Sequence, residues 1–272
     1  QILLGIGIGL CLPNNQYHLD TELFLALVIG PLLFREAQEA DITSILKHWR
    51  IVLYLIFPVI FVSTLSMGGL AHVLWVSLPL AACLAVGAAL GPTDLVAFAS
   101  LSERFTFPKR VSNILKGEGL LNDASGLVAF RVALIAWTTG TFSIAQAGIS
   151  LAISIVGGFA VGLITAFINR SLHSFLLSVR ATDIASELLL DLSLPLLTFF
   201  IAEEIHVSGI IAVVVAGILK ASRFKKINLL EAQVDTVTET VWHTVTFMLN
   251  GSVFVILGME LEMIAEPILK SA

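Results

Sequence analysis

Hydrophobic positions in this chain run in long unbroken stretches, and the charges collect between them. The stretches fall at 1–12, 22–34, 51–68, 73–101, 111–137, 145–168, 184–203, 207–220 and 241–259. Neither the two-residue alternation of a half-buried strand nor the narrow apolar stripe of a soluble helix fits such runs. A helix crossing a bilayer needs about 20 mostly apolar residues. The pattern therefore predicts nine helices and an all-α, polytopic membrane protein. Several stretches fall short of that length, which predicts tilted, partial or internally shielded spans. The first opens at Gln1 with no basic region before it, unlike a secretory signal. Its shortness and the missing initiator Met lead us to expect a fragment of a longer protein.

Charge gives the orientation, because Lys and Arg accumulate in cytoplasmic loops. Arg35, Lys47 and Arg50 follow the second stretch, and Arg104, Lys109, Arg110 and Lys116 follow the fourth. Arg170 and Arg180 follow the sixth, and Lys220, Arg223, Lys225 and Lys226 the eighth. The intervening loops carry none, and of 15 basic residues only Arg131 and Lys270 stand outside the alternation. Even-numbered loops are thus expected in the cytoplasm, in a multi-pass protein of the cell membrane.

Composition agrees. Hydrophobic residues make up 57% and charged residues 13%, against roughly 25% charged in an average globular protein. The mean hydropathy is +0.96. Such a chain has too few polar groups to cover a soluble surface. No basic, aromatic-interleaved surface points to nucleic acid. Cys11 and Cys83 lie in separate apolar stretches and are expected as free thiols. The six histidines are scattered, without metal-ligand spacing. No Walker loop, nucleotide fingerprint or Ser-His-Asp order is present, so neither an enzyme nor an ATP-driven pump is supported.

The chemistry must come from acids inside the apolar runs. Each costs about 2.5–3.5 kcal/mol at mid-membrane, and Asp94, Glu118 and Asp123 fall in the fourth and fifth stretches. Asp94 sits in Gly91-Pro92-Thr93-Asp94, inside an otherwise apolar run of 29 residues (73–101). Proline removes a backbone donor and clashes with the preceding turn, so a broken helix is expected there. A broken helix with a carboxylate at the break is a recurring ion site in transporters. In the fifth stretch Glu118 and Asn122 share one helical face, and Gly119 and Asp123 the next. Counted inward from Lys116, Asp123 lies about 10 Å deep. A desolvated carboxylate there can hold a proton or a small hard cation, but not both, and that competition is what a cation/proton exchanger needs. Elsewhere, Glu187 and Asp191 share a face and are expected in structural pairs. Arg131 is expected to pair with a core acid or to cap the outer side, and Glu203 and Glu204 to be solvated at the outer interface.

Gly91-Pro92-Thr93-Asp94 followed by Gly117-Glu118-Gly119-Leu120-Leu121-Asn122-Asp123-Ala124 strongly resembles the sodium/proton exchanger family, the monovalent cation:proton antiporter-1 group, in a bacterial-type form. The likeness continues in Pro31-Leu32-Leu33-Phe34-Arg35-Glu36-Ala37, in Ala202-Glu203 with Val207-Ser208-Gly209, and in Phe247-Met248-Leu249-Asn250-Gly251. The resemblance implies a homodimer built from inverted repeats, with a moving core (including 51–137) and a scaffold with the dimer contact (1–34 and 145–260). It implies a Na⁺ site at Asp123 and Asp94 with Thr93, oriented by Asn122; Gly119 and Pro92 are expected as orienting or structural residues beside it. Glu118 would be a structural acid paired with an arginine beyond Ala272. Asn122 is typical of the electroneutral branch, whereas many relatives carry Ser in place of Gly119. Relatives also have a further helix before this stretch and about three after it. The expected activity is alternating-access antiport of Na⁺ (Li⁺ or K⁺ as alternatives) against H⁺, with no cofactor beyond the transported ions. Two other readings stay open at this level. One is a carrier for K⁺ or another solute. The other is an intramembrane aspartyl protease using Asp94 and Asp123, although the Gly-x-Gly-Asp context of such enzymes is missing.

Overall fold

The computed structural model describes residues 1–11, 20–40, 49–92, 105, 107–108, 111, 115, 126–127, 129–138, 144–179, 183–221 and 229–271. Among them no strand occurs. The helices are α1 (Ile2–Cys11), α2 (Thr21–Phe24), α3 (Gly30–Glu39), α4 (Trp49–Leu74) and α5 (Leu80–Leu90). After these come α6 (Ala129–Thr138), α7 (Ile144–Ser178), α8 (Ile184–Glu204), α9 (Gly209–Ala221) and α10 (Leu229–Ser271). Each of the nine apolar stretches contains helix.

The second stretch begins where Asp20 caps α2, its carboxylate accepting from Glu22 N–H at 2.9 Å and Leu23 N–H at 3.3 Å. A π-helical turn, Leu25–Ile29, joins α2 to α3 without a gap. Its cause is Pro31, whose ring would clash with a carbonyl one turn back. The chain widens there, and the Gly30 N–H reaches Leu25 O instead.

Three boundaries differ from the sequence pattern. The third and fourth stretches were divided between 68 and 73, whereas α4 continues to Leu74 and the turn falls at 75–79. The glycine pair at 68–69 does not end the helix. Gly68 instead admits α5, because a Cβ there would sit 3.0 Å from Cys83 O. The sixth stretch ends at 168, but α7 runs on to Ser178, and the interval between the eighth and ninth stretches is largely helix because α10 starts at Leu229. A helix of 35 residues, as α7 is, is about 52 Å long and outreaches the hydrocarbon. Its last turns can therefore be polar while the backbone stays helical.

The interior is built around α9. Ile210, Ala212, Val213 and Ala216 are fully buried, enclosed by α3, α7 and α8. This explains how a helix of 13 residues, short for a span, is accommodated: it is shielded by neighbours and not by lipid. Phe34, Phe199 and Trp242 complete the same core, with the Phe34 and Trp242 rings 5.9 Å apart. On α7 the approach to α9 is made by Gly158, where a Cβ would lie 2.7 Å from Ser208 O. Small residues let membrane helices meet this closely. The α4–α5 pair packs face to face, and α1 lies along α10.

The outer faces are apolar. Leu3, Val76, Phe167 and Leu189 are each at least 70% exposed. Ala152–Leu176, Ile184–Glu204 and Thr236–Leu261 are long and apolar enough to cross a bilayer, with only 22%, 28% and 6% of their apolar windows buried inside the protein. Water would not tolerate so much bare hydrocarbon on three helices, whereas a bilayer solvates it.

Candidate functional site

Thr93, Asp94, Glu118, Gly119, Asn122 and Asp123, the residues expected to form the ion site, lie outside the described residues. Their flanks are described. The helix before the expected break stops there: α5 ends at Leu90, with Gly91 as its C-cap and Pro92 beyond it. Gly91 backs onto α4, where a Cβ would stand 2.8 Å from Ser63 Oγ. From the other side Gly126 presses on the Pro92 ring, leaving no space for a Cβ beside Cγ, with Cδ at 3.2 Å and Ala88 O at 3.6 Å from that position. The two segments that carry the motifs therefore touch, although more than thirty residues separate Pro92 from Gly126 in sequence. Among the described residues no three His, Cys, Asp or Glu side chains converge as a metal site.

Beyond Gly126 the chain turns to a different neighbour. Leu127 packs against the core cluster of α3, α8, α9 and α10. Arg131, four residues on and so on the same helical face, reaches Glu203 at the end of α8. Its Nη1 donates to Oε1 at 2.8 Å and Oε2 at 3.1 Å. The arginine thus pairs with an acid, but one on α8, within the part expected to be scaffold, and not with a core acid. Glu203, expected to be solvated, is a correction: its side chain is 19% exposed, and Oε1 also accepts from the Gly209 N–H at 3.1 Å. Glu204, next to it, is exposed.

Local geometry explains the difference between the two glutamates. The α8–α9 turn closes with His206 N–H on Glu203 O at 2.9 Å and Val207 N–H on Ala202 O at 3.0 Å. This paired closure needs a left-handed residue, and His206 supplies it with φ of 59°. The turn brings the start of α9 back over Glu203. There Ser208 caps the helix through the Ile211 N–H at 3.3 Å, and the carboxylate meets the positive end of the helix dipole. The signal in the sequence was an acid five residues before a Ser-Gly helix start. The arginine, 72 residues away in sequence, gave no local hint.

A second group of polar ties stands at the opposite end of the helices. Asp191 is paired with Lys220 and accepts from Trp242 Nε1 at 3.3 Å, and Glu187 pairs with His173 at 2.5 Å. Both acids are in structural pairs, as expected. Each tie joins residues that the charge alternation places at one depth: Arg131 and Glu203 outside, Asp191, Lys220 and Trp242 inside, His173 and Glu187 inside. The antiparallel register of α7 and α8 agrees, with the buried Thr198 hydroxyl donating to Thr165 Oγ1 at 3.1 Å midway. Cys83 is a buried free thiol.

Comparison with known proteins identifies the setting. The family model for the transmembrane sodium/hydrogen exchanger matches residues 1–270. The chain is 36% identical over 261 residues to the sodium, potassium, lithium and rubidium/H⁺ antiporter of Bacillus subtilis (strain 168), covering 96% of this chain and 39% of that protein. It is 29% identical over 275 residues to the Na⁺/H⁺ antiporter NhaH of Halobacillus dabanensis, covering 96% and 66%. The structure of the sodium proton antiporter MjNhaP1 from Methanocaldococcus jannaschii at pH 8 superposes with a TM-score of 0.70 at 21% identity, over 95% of this chain and 62% of that one. The chain belongs to the sodium/hydrogen exchanger family, an integral membrane family, and has the helical fold of its antiporters. It spans 39% of the length of the Bacillus relative.

Proposed function

We propose that this chain exchanges a monovalent cation, Na⁺ first, for H⁺ across the cell membrane by alternating access. Asp123 and Asp94 take the cation or the proton in turn. One observation carries the reading beyond family membership: the contact of Gly126 with Pro92. In sequence Asp94 is two residues past Pro92 and Asp123 three before Gly126, so both acids lie within three residues of one contact between the end of α5 and a neighbouring segment. A cation stripped of water needs several oxygens at once. Two carboxylates, the Thr93 hydroxyl and main-chain carbonyls freed by the break supply that kind of shell. A proton on Asp123 removes the charge that holds the cation, which makes the two ions exclusive.

The finer assignments rest on the family. Asn122 and Pro92 orient the site, Glu118 is a structural acid, and Gly119, where many relatives carry Ser, supplies no hydroxyl ligand. One cation exchanges for one proton, and the protein works as a homodimer. The core includes 51–137, and 1–34 with 145–260 form the scaffold. The name of the Bacillus relative, which lists sodium, potassium, lithium and rubidium, favours broad monovalent selectivity over strict Na⁺ specificity.

The test is cation-triggered proton flux in proteoliposomes, with Na⁺, K⁺, Li⁺ and Rb⁺ in parallel. Flux with the full-length native protein and none with its Asp123→Asn variant is the expected pair. Undiminished flux in Asp123→Asn would overturn the site, and no response to any of the four cations would overturn the activity.

A further inference from the structure

We propose that Arg131 and Glu203 form a reversible outer latch between the segment that carries the ion site and the α8–α9 unit, closed in this conformation and opened once per exchange cycle. The inference rests on the antiport reading, because alternating access is what requires the two parts to move past each other. Neither residue holds the transported ion in this role; both are positioning residues.

Three features of the pair support it. It bridges the right parts: Arg131 lies eight residues beyond Asp123, and its Nη1 spans to both carboxylate oxygens of Glu203 on α8. Just before α6 the apolar contact is Leu127 against the core cluster. The pair is also partly exposed, 31% at the Arg131 side chain and 19% at Glu203, at the end of the helices that the charge alternation places outside. Separation there exchanges a charge-assisted hydrogen bond for hydration at the outer interface and leaves no buried bare charge on Arg131. The inner pair differs, with Asp191 only 8% exposed at its side chain beside Lys220, and that pair suits a permanent tie. Finally, Glu203 keeps a partner when Arg131 leaves: the Gly209 N–H at 3.1 Å moves with it, because both belong to one tight turn. The positive end of the α9 dipole continues to stabilise the carboxylate. Both halves of the latch are thus satisfied open as well as closed.

Glu203→Gln and Arg131→Gln test the latch, with Arg131→Lys as the charge-keeping control. The Gln amide oxygen can still accept from Gly209 N–H, so the turn is preserved in Glu203→Gln. Half-saturating Na⁺ is measured separately at each face of oriented proteoliposomes. Weakening a latch shifts the balance of the two orientations, and apparent affinity scales with the population facing each side. Both Gln variants are expected to raise half-saturation on one face and lower it on the other, in the same sense, on the order of tenfold. Arg131→Lys is expected to stay near the native asymmetry. A direct charge effect on the approaching cation would instead move the two Gln variants in opposite senses, and this overturns the latch. Equal changes on both faces, or none, also overturn it.

A second readout keeps the latch separable from the antiport reading. Leu127→Cys is placed in a chain whose own Cys11 and Cys83 are replaced, and labelled with a membrane-impermeant thiol reagent. Adding Glu203→Gln is expected to change the labelling rate several-fold whatever ion is carried. An unchanged rate overturns the latch. Absence of flux in the native chain, with the labelling change intact, overturns only the antiport reading.

Discussion

Gly126 lies flat against the Pro92 ring, and no side-chain carbon fits between them. This contact fixes how close the end of α5 and the segment leading into α6 can come. The small residue and the helix breaker are therefore two halves of one feature.

Gly126→Ala should accordingly damage function more than fold. In a helical backbone the exchange would gain about 0.5–1 kcal/mol from reduced chain entropy. Here the methyl group must push Pro92 away, an overpacking strain of about 1–3 kcal/mol. The net expectation is a small loss in thermal stability and at least a tenfold drop in cation-triggered proton flux. Native flux in Gly126→Ala would mean that the contact does not position the site.

His206 stands in the left-handed region at φ of 59°, where a residue with a Cβ pays about 1–2 kcal/mol. The surrounding hydrogen bonds from the His206 and Val207 N–H groups enforce the conformation. His206→Gly removes the steric cost but adds unfolded-state entropy, leaving a gain of about 0.5–1 kcal/mol. For a chain of this size the unfolding midpoint should rise by roughly 1–4 °C. Transport should be unchanged, because the turn geometry is kept. A fall in the midpoint would show that the imidazole itself holds the turn.

Asp183 caps α8 by accepting from the Ser186 N–H at 2.8 Å and from its hydroxyl. The Ser186 side-chain hydrogen bond, then the backbone one, lower its pKa from 3.8. The folded pKa lies below the unfolded one, so the cap contributes stability above pH 3.8. That contribution is lost as pH falls through the lowered folded value. Acid unfolding of the native chain should therefore show a component below pH 3.8 that Asp183→Asn lacks. Identical acid profiles for the two would remove the cap from the account.

Nine apolar stretches were enough to read an all-helical membrane chain, because bilayer thickness acts on local sequence, and each stretch holds helix among the described residues. Helix ends were less legible. The extension of α7 past 168 and of α10 back to Leu229 occurs where polar residues leave the bilayer without leaving the helix, and hydropathy marks only the first of these events. The end of α5 at Gly91-Pro92 was legible because proline acts through covalent geometry. The partner of Arg131 was not, since Glu203 is held inward by a turn whose left-handed residue is histidine rather than the expected glycine. Glu187 and Asp191 were readable as a shared face, but their partners His173, Lys220 and Trp242 sit on three other helices.

The inner tie yields the last prediction. Asp191 is 6% exposed and held by Lys220 and the Trp242 indole. Lys220→Met leaves the carboxylate buried with only the indole N–H, and losing one partner of a buried pair costs about 3–5 kcal/mol. Replacing both, as Asp191→Leu with Lys220→Met, removes the buried charge and should recover most of that loss. The Trp242 N–H then lacks its acceptor, so recovery should stop about 1–3 kcal/mol short of native. Transport per folded molecule should be close to native in the double variant, because this tie joins α8, α9 and α10 away from the Pro92–Gly126 contact. Thermal unfolding of the single and double variants in detergent, beside their proton flux in liposomes, checks both halves. A stable double variant without flux would make Asp191 part of the ion pathway and not a structural acid.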